Sequence, residues 1–112
     1  MSQFQEITLQ ANLHFGSFRS PNQGGHLIIQ DEKFIFRPHS INFGDQSDKE
    51  FAIRDIRGYK KGILTRFTVF MNDNQEINLI VWKKDEIIKE LEERRAAIFR
   101  NNGEPLPPLS KH

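Results

Sequence analysis

The hydrophobic pattern of this chain changes its period once, and that change sets the order of the elements. Residues 7–15 place apolar side chains at every second position, which is the period of a strand with one buried face. Residues 85–100 instead repeat at helical spacing, with Ile87, Leu91 and Ile98 on one stripe. The sequence therefore predicts a strand-rich region followed by one amphipathic helix.

The charged residues of the predicted helix are expected on its other faces, Glu92 and Arg95 among them. Glu90 and Arg94 are four positions apart, in the order that favours an ion pair along a helix. Asn101-Asn102-Gly103 is predicted to end the helix, because glycine readily adopts the left-handed conformation that follows a last turn. We therefore expect a single domain over residues 6–100 and a Pro-rich tail over 101–112 that is extended or disordered.

Further segments before the helix have the alternation and composition of short strands: 26–30, 33–37, 51–56, 56–61, 64–71 and 75–82. Asp31-Glu32 is predicted to join the first two of these as a hairpin. In that hairpin, Leu27 and Ile29 would share a face with Phe34 and Phe36.

The segments between the strands have turn chemistry. Residues 16–25 and 39–50 are assigned to turns and loops, and Asn72-Asp73-Asn74 is assigned to a tight turn. The sum is about seven antiparallel strands and one helix, which predicts a sandwich or a partly open barrel. We expect the helix to cover the open end or one face.

Several classes of protein are disfavoured by composition. The chain has 112 residues, the size of one domain, and no cysteine, so we expect neither disulfides nor thiol chemistry. No apolar run approaches the roughly 20 residues that a membrane-spanning helix needs. The first six residues have neither the basic flank nor the apolar stretch of a signal peptide. We expect a soluble, cytoplasmic protein that is peripheral at the inner membrane face if it meets a membrane at all.

One segment concentrates positive charge. Residues 54–66 contain five basic residues against Asp55 alone, a net charge of +4. This excess indicates a candidate anion- or lipid-binding edge formed by Arg54, Arg57, Lys60, Lys61 and Arg66. The alternative is a solvated strand whose charges discourage edge-to-edge association. Arg19, Arg37 and His39 are further exposed candidates near loops.

We find no convincing catalytic or metal site in the sequence. His14, His26 and His39 are too far apart in the chain for a metal-binding motif, and each is predicted at the surface or a strand edge. Asp45, Asp48 and Glu50 lack the ligand alternation of a calcium loop. We therefore expect a non-enzymatic protein without cofactor or metal.

Ten phenylalanines, one tyrosine and one tryptophan make up the aromatic residues. The inward register of predicted strands holds Phe15, Phe34, Phe36, Phe51 and Phe67, and Phe99 lies near the end of the helix. These positions favour core filling and weaken a nucleic-acid role, which needs exposed rings for stacking. Phe4 does not fit the register, and the candidate exposed aromatics are Phe18, Phe43 and Phe70.

The order of these elements resembles the GRAM domains of the pleckstrin-homology-like superfamily. The resemblance lies in the segments 11–15, 24–29, 34–38, 51–56 and 78–81, and in the helix that follows. One departure is the acidic turn Gln30-Asp31-Glu32-Lys33, which makes lipid contact at that turn less favourable. A free-standing domain of this type looks like the bacterial members of the group.

The resemblance implies two nearly orthogonal antiparallel sheets capped by the C-terminal helix, and it implies an interaction module. Our first hypothesis for its function is binding of a protein partner or scaffolding by self-association. The alternative is peripheral binding to anionic lipid headgroups through segment 54–66.

Overall fold

A computed structural model describes residues 3–14, 22–39 and 47–110. In these residues seven strands precede one α-helix, and a short 3-10 helix spans Ile53–Asp55 between the fourth and fifth strands. The elements are β1 (Ile7–His14), β2 (Asn22–Ile29), β3 (Lys33–Pro38), β4 (Lys49–Ala52), β5 (Ile56–Lys61), β6 (Arg66–Met71), β7 (Glu76–Ile80) and α1 (Lys84–Asn101).

The strands form one antiparallel sheet in the order β4-β3-β2-β1-β7-β6-β5. β1 joins the two halves, because it pairs with β2 along its whole length and with β7 through Asn12, Leu13 and His14. Among the described strands, β4 and β5 are the two edges, and these two do not pair with each other. The predicted fold class is confirmed, and the two expected sheets are two halves of one continuous sheet.

One hydrophobic core lies between the halves and the helix. Leu27 is opposite Phe36 and Ile29 is opposite Phe34, as the hairpin pattern predicts. Phe67 is fully buried in the same cluster, and Phe51 stacks on Phe34 with 5.1 Å between ring centroids. Phe15 lies outside the described residues.

The helix follows its predicted stripe and ends as predicted. Ile87, Leu91 and Ile98 are all buried in the core. Gly103 has a φ of 69°, and the Glu104 N–H donates to the Phe99 carbonyl at 2.9 Å. This pattern satisfies carbonyls that the last turn would otherwise leave unpaired.

β2 begins earlier than the composition of 16–25 predicts. The strand starts at Asn22, because Gln23, Gly24 and Gly25 pair with β1. A Cβ on Gly25 would overlap the carbonyl oxygen of Arg37 and the Phe36 ring. This glycine therefore permits close packing within the sheet instead of a turn.

His14 is buried, with 7% of its surface exposed, which corrects its predicted place at the surface. It pairs with Asn78, which in turn pairs with Thr68, so the three form a row across three strands. The Thr68 hydroxyl donates to Asn78 Oδ1 at 2.7 Å. Strand alternation places these side chains on the face opposite the core. Their burial could not be predicted from alternation, because alternation assigns a side chain to a face and does not determine whether that face is covered.

Arg95 is also buried, at 2% exposed, although the helical pattern places it away from the apolar stripe. Its guanidinium donates to Glu92 Oε1 at 3.1 Å and to the carbonyl of Pro107. Residues 104–110 form no helix or strand, and Leu109 packs against the core. The Ser110 N–H donates to the Arg57 carbonyl on β5 at 2.8 Å, so the segment after the helix covers Arg95. The domain boundary at residue 100 stays a prediction.

Candidate functional site

The five basic residues of segment 54–66 do not form one patch. They are spread along β5 and beyond both of its ends. Arg54 lies at the end near the C-terminal part of the helix. Its Nη2 is 3.2 Å from Glu104 Oε2, and its guanidinium lies 5.0 Å from the centre of the Phe99 ring. Arg57 has an exposed side chain on the strand, and its carbonyl accepts the hydrogen bond from Ser110.

Lys60, Lys61 and Arg66 lie at the other end, on either side of the β5–β6 turn, and all three are exposed. Lys61 Nζ is 2.9 Å from Asp85 Oδ1 in the first turn of α1. An exposed pair of this kind stabilises the fold by at most about 1 kcal/mol and leaves the lysine near solvent. The structure thus divides the predicted segment between two ends of the molecule.

The β5–β6 turn lies beside the connection from β7 to α1. The Val81 N–H donates to the Thr65 carbonyl at 2.9 Å, and Lys84 Nζ donates to the Gly62 carbonyl at 2.7 Å. The turn itself is closed by a bond from the Arg66 N–H to the Ile63 carbonyl at 3.0 Å. Residues 62–65 and 81–84 are therefore held together, although they are far apart in the sequence.

This junction collects a local positive charge, and we call it the basic end of the molecule. Its five basic residues face two acidic ones, Asp85 and Glu86, so its net charge is +3. Lys83 and Glu86 are 3.9 Å apart, a loose contact between exposed groups. The basic residues are Lys60, Lys61, Arg66, Lys83 and Lys84.

The same junction exposes three large apolar side chains. Ile63 is 74% exposed, Leu64 85% and Trp82 84%. The sequence predicts strands over 64–71 and 75–82, but β6 begins at Arg66 and β7 ends at Ile80, so Leu64 and Trp82 lie outside them. The sequence does contain a signal that Trp82 is exposed. Trp82 follows the buried Val81 in a period-two pattern, and successive side chains in such a pattern point to opposite faces.

Tyr59, within the same basic segment, belongs to the core instead of the surface. Its hydroxyl donates to Glu92 Oε2 at 2.6 Å, and its ring stacks on Phe67 with 6.0 Å between centroids. Burial, and next the hydrogen bond to Glu92, raise the pKa of Tyr59 far above its ordinary value. Tyr59 therefore connects β5 to the helix and takes no part in a binding surface.

Two further candidates near loops, Arg37 and His39, contact other side chains of the protein. Arg37 makes a two-pronged pair with Asp48, with Nη2 to Oδ2 at 2.9 Å and Nε to Oδ1 at 3.2 Å. That hydrogen bond and the charge of Asp48 raise the pKa of Arg37. His39 meets His26 edge to face at 5.1 Å, a contact between two histidines that sequence spacing does not reveal. Arg19 lies outside the described residues.

The candidate aromatics give little support to a ring-lined surface. Phe18 and Phe43 lie outside the described residues, and Phe70 is half-buried on β6. Phe4 is half-buried beneath the buried guanidinium of Arg94, 4.8 Å from its ring centre.

A depression of about 410 Å³ lies beside the C-terminal end of the helix, lined in part by Glu32, Lys33 and Glu50. It is a surface feature, since Phe34 and Phe36 fill the interior where a ligand-binding barrel would hold its ligand. Within the described ranges, no helix combines the length and the apolar character that crossing a membrane requires.

No protein-family model matches the sequence, and no curated protein matches it. Solved structures do match the fold. A C-terminal domain of an unknown protein from Leishmania infantum is 14% identical with a TM-score of 0.64, covering 80% of this chain and 82% of that one. The N-terminal PH domain of human ARAP2 is 10% identical with a TM-score of 0.64, covering 83% and 81%.

The Slm1 PH domain, solved in complex with inositol-4-phosphate, is 8% identical with a TM-score of 0.56, covering 83% of this chain and 96% of that one. At identities this low, the matches show a shared fold and nothing about function. Two of these three neighbours are PH domains, and the part of this chain that matches each of them covers 83% of its length. The chain has a pleckstrin-homology-like fold.

Proposed function

We propose that this protein is a non-enzymatic interaction module that attaches peripherally to anionic membrane surfaces through its basic end. The observation that carries the proposal is the net charge of +3 on two adjoining segments, 60–66 and 81–86. Both segments are turns or element ends whose basic side chains are exposed or half-buried, so their charges can approach a flat surface together. A lipid headgroup is then the chemistry that matches the excess.

Coulombic attraction of this size suits weak, reversible attachment. Each basic group near an anionic leaflet contributes about 1 kcal/mol, and the attraction decays within a Debye length. Lys61 is partly compensated by Asp85, and Lys83 by a looser contact with Glu86, so each would contribute less to the attraction than Lys60. Arg54, paired with Glu104 at the other end, would contribute least.

Self-association has less support from the geometry. The helix buries its apolar stripe in the core, and the β5 edge already receives the hydrogen bond from Ser110. The β4 edge has four residues and includes Lys49 and Glu50, which is typical of edges that avoid pairing with another chain. Binding of a protein partner stays the second hypothesis.

Two finer assignments belong to the same proposal. Within the pleckstrin-homology-like group, the segments 24–29, 34–38 and 51–56 favour a GRAM domain. A basic surface that meets anionic lipid favours the cytoplasmic face of a membrane, where such lipids are enriched. That a PH domain has been solved with inositol-4-phosphate is compatible with this chemistry.

Co-sedimentation with vesicles tests the proposal. The protein is expected to pellet with vesicles of phosphatidylcholine and phosphatidylserine, and to stay in the supernatant with phosphatidylcholine alone. Neutralising Lys60→Gln with Arg66→Gln should weaken binding about fivefold for each charge removed.

Arg100→Gln is the matched control, since Arg100 is exposed near the opposite end of the helix, about 24 Å along the axis from Lys84. Equal binding to both vesicle types would contradict the proposal. So would an equal loss from Arg100→Gln, because the charge at the basic end would then have no special role.

A further inference from the structure

We infer that Ile63, Leu64 and Trp82 form an apolar tip that inserts into the interfacial layer of an anionic membrane. This inference rests on the proposed function and adds a second, non-coulombic part to the attachment. It also gives the bound molecule a defined orientation, with the β5–β6 turn and the start of the helix toward the bilayer.

The first support is the concentration of exposed apolar surface. Among the described residues, four large hydrophobic side chains are exposed, and three of them belong to this junction. The fourth, Leu106, lies after the helix and is 47% exposed. Single exposed apolar residues are ordinary, whereas a group of them on adjoining segments marks an interaction site.

The second support is the backbone of Leu64. Its φ is 55°, in the left-handed region, where a leucine is unfavourable and an asparagine or glycine is tolerated. The turn is held there by hydrogen bonds between Gly62 and Arg66 and between Arg66 and Ile63. A leucine that is 85% exposed gains almost nothing from the core in return. The position thus presents an apolar side chain outward at the expense of turn stability.

The third support is charge complementarity, which selects a membrane as the occupant. Lys60, Arg66 and Lys83 are exposed and lie close to the tip residues along the chain, and long basic side chains can reach headgroups while apolar neighbours enter the layer below. Tryptophan is enriched at membrane interfaces, where its ring is apolar and its N–H stays hydrated. A projecting turn also suits a flat surface, whereas an apolar groove would suit a helix of a protein partner.

The protein supplies its own probe, because Trp82 is its only tryptophan. Emission from Trp82, at 84% exposure, reports transfer from water into an apolar layer. With vesicles of phosphatidylcholine and phosphatidylserine, the emission is expected to shift to shorter wavelength. It should also be quenched when the acyl chains are brominated near the headgroup.

Leu64→Asn is the sharpest variant, because asparagine tolerates the left-handed backbone and the exposed leucine contributes little to the core. Its thermal unfolding should match or exceed that of the parent protein, which shows that the fold is kept. Vesicle affinity should fall roughly tenfold, as expected for the loss of one inserted aliphatic side chain. Leu106→Asn, an equal change at an exposed leucine elsewhere, should leave affinity unchanged.

The outcomes separate this inference from the proposed function. Binding to anionic vesicles with no change in Trp82 emission would overturn insertion and leave the coulombic attachment standing. No binding to either vesicle would overturn both. If Leu64→Asn bound as well as the parent, the apolar tip would have no role at a membrane, and a protein partner would become the better occupant.

Discussion

At the scale of single residues, Tyr59 couples folding to alkaline pH. Burial and the hydrogen bond to Glu92 raise its pKa above the ordinary value of 10.0, so it stays protonated in the folded state. An unfolded tyrosine ionises at pH about 10, and the charge favours the unfolded state. The contribution of Tyr59 to stability is therefore complete below pH about 10 and is lost as the pH rises further.

We expect the free energy of unfolding to fall above pH about 10, by up to about 1.4 kcal/mol per pH unit from this residue. Urea denaturation of the parent protein and of Tyr59→Phe measures the effect. The variant lacks the ionisable hydroxyl, so its stability should decline less steeply over the same interval. Parallel declines in the two proteins would show that other groups, such as lysines, cause the alkaline loss.

A substitution at Gly25 tests how closely β2 and β3 pack within the sheet. Gly25→Ala places a methyl group against the Arg37 carbonyl oxygen, a backbone atom that cannot move without disturbing β3. We expect a loss of about 1–3 kcal/mol in the free energy of unfolding. Gly24→Ala is the control, because its Cβ would lie 3.3 Å from side-chain atoms of Asn12 and His39, which can adjust. A milder loss at Gly25 than at Gly24 would contradict this account.

At the scale of elements, the segment after the helix is the least expected part of the structure. Leu109 packs on the core, and the Pro107 carbonyl accepts from the buried Arg95. Removing residues 104–112 should lower the free energy of unfolding by about 1–3 kcal/mol, since apolar contact and a partner for a buried charge are both lost. Chemical denaturation of the shortened chain checks this.

The same truncation should expose the β5 edge. Without the Ser110 hydrogen bond to Arg57, the edge offers unpaired backbone groups to a second molecule. We expect concentration-dependent dimers in the truncated protein, measured by sedimentation velocity, and fewer in the parent. If both proteins sediment alike at every concentration, the tail does not protect the edge.

At the scale of the whole molecule, the basic end and the apolar tip should respond differently to salt. Raising the ionic strength from about 0.1 M to about 1 M shortens the screening length from about 10 Å to about 3 Å and removes most of the coulombic attraction. The parent protein should then keep a residual affinity for vesicles that Leu64→Asn lacks. Vesicle titrations at both ionic strengths measure the two parts. Complete loss of parental binding at high salt would show that the apolar tip contributes nothing to vesicle affinity.

Local patterns predicted the elements well where the responsible contacts are close in the chain. The alternation of Leu27, Ile29, Phe34 and Phe36 places one face of a hairpin correctly, because a short turn leaves little freedom of register. Gly103 marks the end of the helix correctly, because a left-handed residue is a local requirement. The strand limits near Leu64 and Trp82 were missed, since neighbouring apolar residues resemble a strand whether or not pairing continues.

The candidate site depended on contacts that no local pattern contains. The charge of segment 54–66 is visible in the sequence. The structure adds that Arg54 pairs with Glu104 at one end of the molecule and that Lys61 pairs with Asp85 at the other. Arg95 looks like a solvent-facing helix residue until Pro107 and Leu109 pack over it.

The sequence by itself determined the order of strands and helix, their inward faces and the end of the helix, because periodicity and turn chemistry act over a few residues. Only the tertiary structure decided which charges meet partners, which polar residues are covered, and that residues 62–65 lie beside residues 81–84. The physical reason is that burial and electrostatic pairing depend on distances in space, and antiparallel pairing brings together residues that the chain separates.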